Sequence, residues 1–368
     1  MMIPDAWREL ALSPPRALSP VAGTARIREL ADDFAVDEEL GFAPSGQGEH
    51  VLMRVRKRDA NTGWVAGELA RVAGVRPLDV GYAGLKDRRA VTTQWFTVPG
   101  RPRPAAEWPG VAGEGFEVLE AHAHSRKLPR GALAGNRFRI VLRDFRGDRA
   151  MLERRILGVA AEGVPNYFGP QRFGREQSNL RALMNPPAPR APTERRDSGR
   201  RGARDRGRGD GGFVLSAARS LIFNAVLARR VREGSWSTLL PGERANLDGR
   251  NSVFPVPLLD DELVDRARRL DLHPTGPLWG EGESGVTGDV AVLEAQVAES
   301  FPEARAVIHA SGAEPSRRPL RLRVGELGFS WLEDGALELR FGLRPGGFAT
   351  AVIRELIDVE GFQEAEHD

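Results

Sequence analysis

Short segments near the start of the chain alternate apolar and polar positions, which is typical of half-buried β-strands. The stretch GYAGLKDRRAVTTQWF, residues 81–96, and the residues next to it have this pattern on each side of four charged residues. The alternating positions are Leu78, Val80 and Tyr82 before the charges and Gln94, Phe96 and Val98 after them. The stretch is therefore predicted to be a strand, a loop that contains Asp87, and a second strand.

Later segments carry similar signals. Residues 136–143 predict a longer strand, with Phe138, Ile140 and Leu142 facing inward and Arg137, Arg139 and Arg143 on the other face. Strand character returns at Leu320, Leu322 and Val324. The segment LGFSWLEDGALELRF predicts a hairpin on the turn Asp334-Gly335.

Apolar residues at helical spacing predict helices between these strands. The predicted helices are residues 64–72, capped by Asn61 or Thr62 and ended by Gly74; a long run from Ser216 to Gly234; and residues 289–301. Sheet-rich segments thus occupy both ends of the chain and a more helical block lies between them. This order predicts an α+β fold in which one domain is interrupted by an inserted domain.

The segment 185–212 is predicted to be a disordered loop. It begins with prolines, continues in Arg, Gly and Asp, and has no large apolar side chain before Phe213, so it cannot offset its ordering entropy. From Glu194 to Asp210 it holds seven Arg against four acidic residues, so the rest of the chain is close to neutral. The loop resembles an Arg/Gly-rich RNA tether, and the alternative is an insertion tolerated at an exposed site.

Composition restricts the possible function classes. The 368 residues include no Cys, which excludes disulfides, thiolate nucleophiles and Cys-based metal sites. The N-terminus lacks the pattern of a secretory signal, and no apolar run approaches the roughly 20 residues of a membrane helix. We therefore expect a cytoplasmic protein with no membrane association.

Lysine is rare in this chain. Of 53 Lys and Arg residues only Lys57, Lys86 and Lys127 are lysine. We interpret this bias as replacement of Lys by Arg wherever either would serve, so that the three lysines mark places where a compact point charge is needed.

Motifs for cofactors, metals and triads are absent from the sequence or lack their context. WGEGESG has the glycine spacing of a dinucleotide loop, but Pro274 and Pro277 precede it where a strand is required. His122 and His124 could share a strand face, yet no carboxylates lie at ligand spacing. No Ser or Thr lies in a nucleophile elbow. We therefore expect no metal and no cofactor.

Asp87 has two interpretations from its local sequence. Asp and Arg are common in turns, so Lys86-Asp87-Arg88-Arg89 is typical of a solvated turn. However, Gly81 and Gly84 would allow a close approach of the backbone, and an aspartate between cations is expected to stay ionised and able to act as nucleophile or base.

GYAGLKDRRAVTTQWF resembles the catalytic motif of the TruD-type tRNA pseudouridine synthases, and further blocks in the family's order extend the resemblance from Asp32 to Ile357. These blocks are DDFAVDEELGFAPSGQGEH with NTGWVAGELA, RKLPRGALAGNRF, GVPNYFGPQRFG, LSAARSLIFN, HPTGPLWGEG and GGFATAVIRELI. The resemblance implies a pseudouridine synthase catalytic domain with a central mixed, mainly antiparallel sheet, formed by residues 1–162 and 315–368. An inserted α/β TRUD domain would span residues 163–314 and contain the 185–212 loop.

The resemblance also implies roles for single residues. Asp87 falls on the catalytic aspartate, and Phe34, Asn136 and Phe348 fall on substrate-binding positions. Arg28 falls where a basic residue, often lysine, pairs with that aspartate, and Lys86 is a second candidate to hold it ionised. From the sequence pattern alone, Phe34 could equally be core and Asn136 a turn residue. Possible contacts to the RNA backbone, with a solvated charged face as the alternative, are Arg88, Arg126, Lys127 and Arg137.

The implied function is isomerisation of uridine to pseudouridine in tRNA, at uridine-13 of the D-arm region. The target base would be flipped out of the RNA, and Asp87 would attack either C1′ or C6 of the nucleoside. No cofactor or protein partner is implied, and a monomer is expected. The alternatives are a non-catalytic RNA-binding protein or tRNA chaperone on the same scaffold, and a hydrolase that combines Asp87 with another carboxylate.

Overall fold

The structure is a computed structural model that describes residues 2–101, 103–185, 210–250 and 252–360. The chain divides into two compact units. The first, here called the sheet unit, comprises Pro20–Ala160 and the chain from Val324 onward. The second, here called the helical unit, comprises the residues up to Ser19 together with Ala161–Arg323.

The helices of the described residues are numbered in chain order. They are α1 (Asp5–Leu12), α2 (Thr62–Ala73), α3 (Arg149–Glu162), α4 (Ser178–Met184), α5 (Asp210–Arg232), α6 (Asp261–Arg268), α7 (Gly288–Glu299), α8 (Pro302–Ser311) and α9 (Ala349–Leu356).

The strands of the described residues are numbered in the same way. They are β1 (Gly23–Arg26), β2 (Phe34–Glu39), β3 (His50–Arg58), β4 (Gly81–Tyr82), β5 (Val91–Pro99), β6 (Ala112–Gly113), β7 (Phe116–His124), β8 (Gly135–Gly147), β9 (Val164–Pro165), β10 (Glu243–Leu247), β11 (Val253–Val256), β12 (Leu272–Leu278), β13 (Ser316–Pro319), β14 (Arg321–Leu322), β15 (Gly325–Trp331), β16 (Leu337–Leu343) and β17 (Asp358–Val359).

The sheet unit is built on one mixed sheet with the strand order β15-β16-β8-β2-β5-β3-β7-β6, to which β1, β17 and β4 add at the side. The pairs β2–β5 and β1–β17 are parallel, and the other pairs are antiparallel. Strand β8 alternates as predicted, with Phe138, Ile140 and Leu142 buried. The predicted hairpin is also present: β15 pairs with β16 through Trp331–Leu337, and Gly335 supplies the positive φ of 80° that the turn requires.

Helix α2 covers part of one face of this sheet. Its residues Val65 and Leu69 are buried against Val51, Met53 and Val55 of β3. The helix ends at Gly74, whose φ of 69° lies in the left-handed region that closes many helices. Because side chains alternate along a strand, this packing places Lys57, the next residue of the same face of β3, beside the core.

The core of the helical unit forms around α5. Leu221, Ile222 and Val226 are buried within it, and α5 begins at Asp210, six residues before the predicted start at Ser216. Residues Gly211–Arg232 are long and apolar enough to cross a membrane by length and composition, which the sequence analysis did not anticipate, and 67% of the most apolar window is buried. This burial is what the core helix of a globular unit shows.

The first nineteen residues belong to the helical unit, although the sequence assigned them to the catalytic domain. The reason is apolar burial: Trp7, Leu10 and Ala11 of α1 join the core around α5, and the ring of Trp7 lies 5.9 Å from that of Phe301. The unit also contains the sheet β11-β10-β12-β13 and the pair β14-β9. Residues 186–209, most of the predicted disordered loop, lie outside the described residues.

Candidate active site

The stretch around Asp87 forms strand, loop and strand, as predicted, but the first strand is short. Leu78, predicted to belong to it, lies in the exposed 3-10 turn Pro77–Asp79. Strand β4 pairs with β5 through Gly81–Thr97 and Tyr82–Phe96, and Asp87 lies in the loop between them. At Gly81 any Cβ atom would collide with Thr97, Lys127 and the main chain of Leu128. Glycine is therefore required for the main chain of β4 to lie this close to these residues. At Gly84 the space is open, so glycine is not needed for packing.

Arg28 and Asp87 form a short ion pair within the sheet unit. Arg28 Nη2 lies 2.6 Å from Asp87 Oδ2, and the two side chains are 12% and 23% exposed. The guanidinium Cζ also lies 4.0 Å from the centroid of the Phe34 ring, a cation–π contact. Arg28 has a φ of 60°, a conformation that L-residues rarely adopt and that is common at functional sites. Backbone and packing together thus aim Arg28 at the carboxylate.

Lys86, the residue before Asp87, forms a second ion pair. Its Nζ lies 2.6 Å from Glu38 Oε2, and the Glu38 side chain is fully buried. Phe34, Val36 and Glu38 occupy the buried face of β2, so Glu38 is a carboxylate placed in the core. Trp95 holds it further, since the Trp95 amide donates to Glu38 Oε1 at 3.3 Å.

Lys57 binds the main chain of the loop that carries Asp87. Its ammonium donates to the carbonyl oxygens of Asp87 and Ala60, both at 2.8 Å, and to that of Lys86 at 3.4 Å. Lys57 is fully buried. Burial lowers the pKa of Lys57 to about 8, an effect that the nearby charge of Asp87 opposes. The main chain of the loop is therefore hydrogen-bonded to a buried ammonium group.

Thr62 and Gln94 complete the support of the loop. The Thr62 hydroxyl accepts a hydrogen bond from the Lys86 amide at 3.1 Å and donates to Gln94 Oε1 at 3.1 Å. Gln94 Nε2 in turn donates to the carbonyl oxygen of Gly84 at 2.5 Å. Both side chains are buried. Polar groups in the core thus fix the loop at both Gly84 and Lys86.

Asn136 lies next to this network. In the ladder between β2 and β8 it is directly opposite Glu38. Its Oδ1 is buried and has no hydrogen-bond partner among the described residues. A buried amide oxygen without a partner costs roughly 1–3 kcal/mol, so this acceptor is a feature that a bound ligand could satisfy.

The two phenylalanines predicted to bind substrate differ in exposure. Phe34 is 2% exposed and packs edge-on against Phe138, with ring centroids 6.2 Å apart. Phe348 is 41% exposed and lies at the N-terminus of α9. The contacts with Arg28 connect Phe34 to Asp87, whereas Phe348 is partly exposed to solvent.

Comparisons with known proteins give the family of this chain. The family model described as tRNA pseudouridine synthase D (TruD) matches residues 19–183 and 212–356. A tRNA pseudouridine synthase D of Methylococcus capsulatus is 45% identical over 94% of both chains, and one of Nitrosococcus oceani is 45% identical over 92% of both.

The chain belongs to the TruD family. The crystal structure of the Methanosarcina mazei protein described as tRNA pseudouridine synthase D superimposes with a TM-score of 0.70 at 20% identity and covers 96% of this chain and 98% of that one. The predictions of an α+β fold with a mixed, mainly antiparallel sheet and of a pseudouridine synthase are therefore confirmed. The assignment of catalytic and inserted domains to residues 1–162, 315–368 and 163–314 stays a prediction.

The basic residues predicted to contact RNA lie in different places in this member of the TruD family. Arg88 and Arg126 are exposed. Lys127 is exposed too, but its ammonium donates to the carbonyl oxygen of Leu78. Arg137 lies on the face of β8 opposite to Asn136, where it pairs with Glu39 and, at 2.7 Å, with Glu326. The structure brings Arg28 to Asp87 and Phe34 to Arg28. The Lys86 ammonium pairs with Glu38, the residue opposite Asn136.

Sequence patterns missed four residues of the site: Glu38, Lys57, Thr62 and Gln94. Thr62 drew notice only as a possible helix cap and Lys57 only as one of three lysines. The one usable signal was a polar residue on an otherwise apolar strand face, as for Glu38 in β2 and Lys57 in β3. Within the described parts of the chain, no group of three or more His, Asp or Glu side chains is placed to hold a metal ion.

Proposed function

We propose that the protein isomerises uridine to pseudouridine in tRNA, at uridine-13 of the D-arm region, with Asp87 as the reacting carboxylate. Relatives of matching length named tRNA pseudouridine synthase D support the substrate class. The observation that carries the proposal is the position of Asp87: a partly exposed carboxylate on a loop, 2.6 Å from a largely buried arginine.

The chemistry needs few groups. The bond between uracil N1 and ribose C1′ breaks, the base turns, and a bond forms between C5 and C1′. The hydrogen of C5 leaves as a proton, and N1, which has lost its bond to the ribose, takes up a proton, so that the formula of the nucleoside is unchanged. Nothing is oxidised and no atom is taken from a second substrate. One carboxylate that acts as a nucleophile, and a pocket that retains the detached base, are sufficient. Arg28 would hold the Asp87 carboxylate in a fixed orientation for its attack on the nucleoside.

The remaining residues have matching roles in this proposal. Asn136 offers an unsatisfied acceptor to the N–H edge of uracil. A flipped base typically stacks on an aromatic side chain, and the exposed ring of Phe348 is suited to it. Phe34 contributes to the substrate site through Arg28, whose guanidinium it supports. Arg88, Arg126 and Lys127 would contact phosphates around the target.

The test uses tRNA labelled with tritium at C5 of uridine. We expect tritium release by the wild-type protein, none from tRNA with cytidine at position 13, and none by the Asp87→Asn variant. Asp79→Asn is a matched control, because Asp79 precedes the same loop but pairs with Arg76 at the surface, and it should release tritium at the wild-type rate.

Other results would overturn the proposal. Retained tRNA binding without tritium release by the wild-type protein would indicate a non-catalytic RNA-binding protein or tRNA chaperone. Liberation of free uracil would indicate a hydrolase. Undiminished release by Asp87→Asn would remove Asp87 from its assigned role. The cytoplasmic location and the monomeric state stay predictions.

A further inference from the structure

All three lysines of this chain lie in or near the segment that carries Asp87. Lys86 belongs to it, Lys57 binds the carbonyls of Lys86 and Asp87, and Lys127 binds the carbonyl of Leu78 beside the strand that leads into it. Every other basic residue among the 53 Lys and Arg is arginine. The three lysines of the chain are thus grouped around the loop of Asp87 and the strand before it.

The geometry at Lys57 explains why arginine would not serve there. An ammonium has three donors on one atom, and at Lys57 they converge on three carbonyl oxygens in a fully buried position. A guanidinium is larger and planar, and its donors point outward in one plane. It could not occupy the same space and bond to the same three oxygens.

We propose that Lys57 is a positioning residue for the isomerisation: its ammonium fixes the main chain at Lys86 and Asp87, and with it the direction of the Asp87 carboxylate. This role rests on the proposed function of Asp87. Thr62 and Gln94 anchor the loop at Lys86 N and Gly84 O, but Lys57 alone among these residues bonds to Asp87 itself.

The charge state of Lys57 provides a second test, the pH dependence of the rate of tritium release, which a purely structural role of Lys57 would not affect. Burial lowers the pKa of Lys57 to about 8; the neighbouring charge of Lys86 lowers it further, and Asp87 and Asp59 oppose the shift. As pH rises through about 8 the ammonium loses a proton and one of its three donors. We therefore expect the rate of tritium release at saturating tRNA to fall on the alkaline side in the wild-type protein, and this fall to be absent from the pH profile of Lys57→Met.

The experiment compares Lys57→Met and Lys57→Arg with the control Arg56→Met. Arg56 is the preceding residue of β3, faces the opposite side of the sheet and pairs with Glu117. We expect both Lys57 variants to lose about 100-fold in the single-turnover rate at saturating tRNA, with tRNA affinity unchanged. Arg56→Met should keep the wild-type rate. A wild-type rate in Lys57→Arg or Lys57→Met would overturn the inference.

Amide hydrogen exchange tests the same contact without any catalysis. Residues 84–88 should exchange faster in Lys57→Met than in the wild-type protein, while α2 keeps its protection, which would show that the variant is folded. Unchanged exchange of this loop would contradict the inference even if the rate falls. Absence of tritium release by the wild-type protein would instead refute the proposed function, so the two failures are distinguishable.

Discussion

Arg28 Nη2 lies 2.6 Å from Asp87 Oδ2, although 59 residues separate the two in the chain. The pair exists because Arg28 adopts a left-handed backbone conformation and because the Phe34 ring supports its guanidinium at 4.0 Å. A charge-assisted hydrogen bond of this length has well-defined directionality. The carboxylate thus has one oriented oxygen in the free protein, before any RNA is bound.

Replacement of Arg28 should therefore reduce catalysis more than binding. Arg28→Met is expected to lower the single-turnover rate of tritium release by about 100-fold, because Asp87 loses its orienting partner. Arg28→Lys should retain part of the rate, because the positive charge stays while the planar guanidinium and its paired donors are lost. Arg26→Met is the control, because Arg26 pairs at the surface with Glu29 and Asp144. Equal rates for Arg28→Met and the wild-type protein would contradict the assigned role.

Asn136 should show opposite effects on activity and stability. Its Oδ1 is buried without a partner among the described residues. Asn136→Leu replaces the amide by an apolar side chain of similar size and so removes this unsatisfied acceptor. We expect the melting temperature to stay the same or rise, while kcat/KM falls about 5- to 10-fold through the loss of one hydrogen bond to the base. A lower melting temperature with normal activity would instead mean that Asn136 is a structural residue.

The sequence predicted those elements whose signals are local. The alternation in β8, the hairpin at Gly335 and the loop around Asp87 all follow from neighbouring residues. Helix α2 was predicted in the same way, with Gly74 at its end. In these segments the local pattern and the tertiary structure agree, as expected for a well-specified fold.

Where long-range packing decides, sequence patterns were insufficient. Lys57 and Glu38 approach the loop from two different strands, and no spacing in the sequence connects them to Asp87. The prediction that a strand is excluded before WGEGESG was wrong, because β12 contains both Pro274 and Pro277. Such prolines normally argue against a central strand; here β12 still pairs with β10 and β13 on its two sides. The segment nevertheless does not open a helix, since α7 begins only at Gly288.

Phe348 should contribute to binding of the flipped base and little to stability. The ring is 41% exposed, so Phe348→Ala should leave the melting temperature unchanged. Loss of one aromatic stacking contact is worth about 1–3 kcal/mol, which predicts about a 5- to 150-fold loss in kcat/KM, and Phe348→Trp should restore it. Phe213, an exposed phenylalanine of the helical unit, provides the control Phe213→Ala. An unimpaired Phe348→Ala would exclude the ring from the substrate site.

His273 should make the helical unit sensitive to acid. It is buried in β12 and accepts a hydrogen bond at Nδ1 from Arg321 Nε at 3.0 Å, while its Nε2 lies 3.1 Å from Asp248 Oδ1. A second proton would have to enter at Nδ1, where it would break the bond from Arg321. Burial, the largest effect, and the charge of Arg321 lower the pKa of His273 below its ordinary value of 6.5, against the opposing effect of Asp248.

The direction of the pH effect follows from proton binding. His273 takes up the proton near pH 6.5 in the unfolded chain but only at lower pH in the folded chain. Its contribution to stability is therefore complete above pH 6.5 and is lost as the pH falls through the lower, folded-state pKa. We expect the free energy of unfolding to decrease in this range with a slope of at most about 1.4 kcal/mol per pH unit from this group. The slope should be smaller in His273→Gln, whose amide can still accept from Arg321 and donate to Asp248. Because burial also lowers the pKa of His124, the comparison of variants is needed to isolate His273. His309→Gln, which changes an exposed histidine, should leave the slope as it is, and an equal slope in His273→Gln and the wild-type protein would refute the assignment.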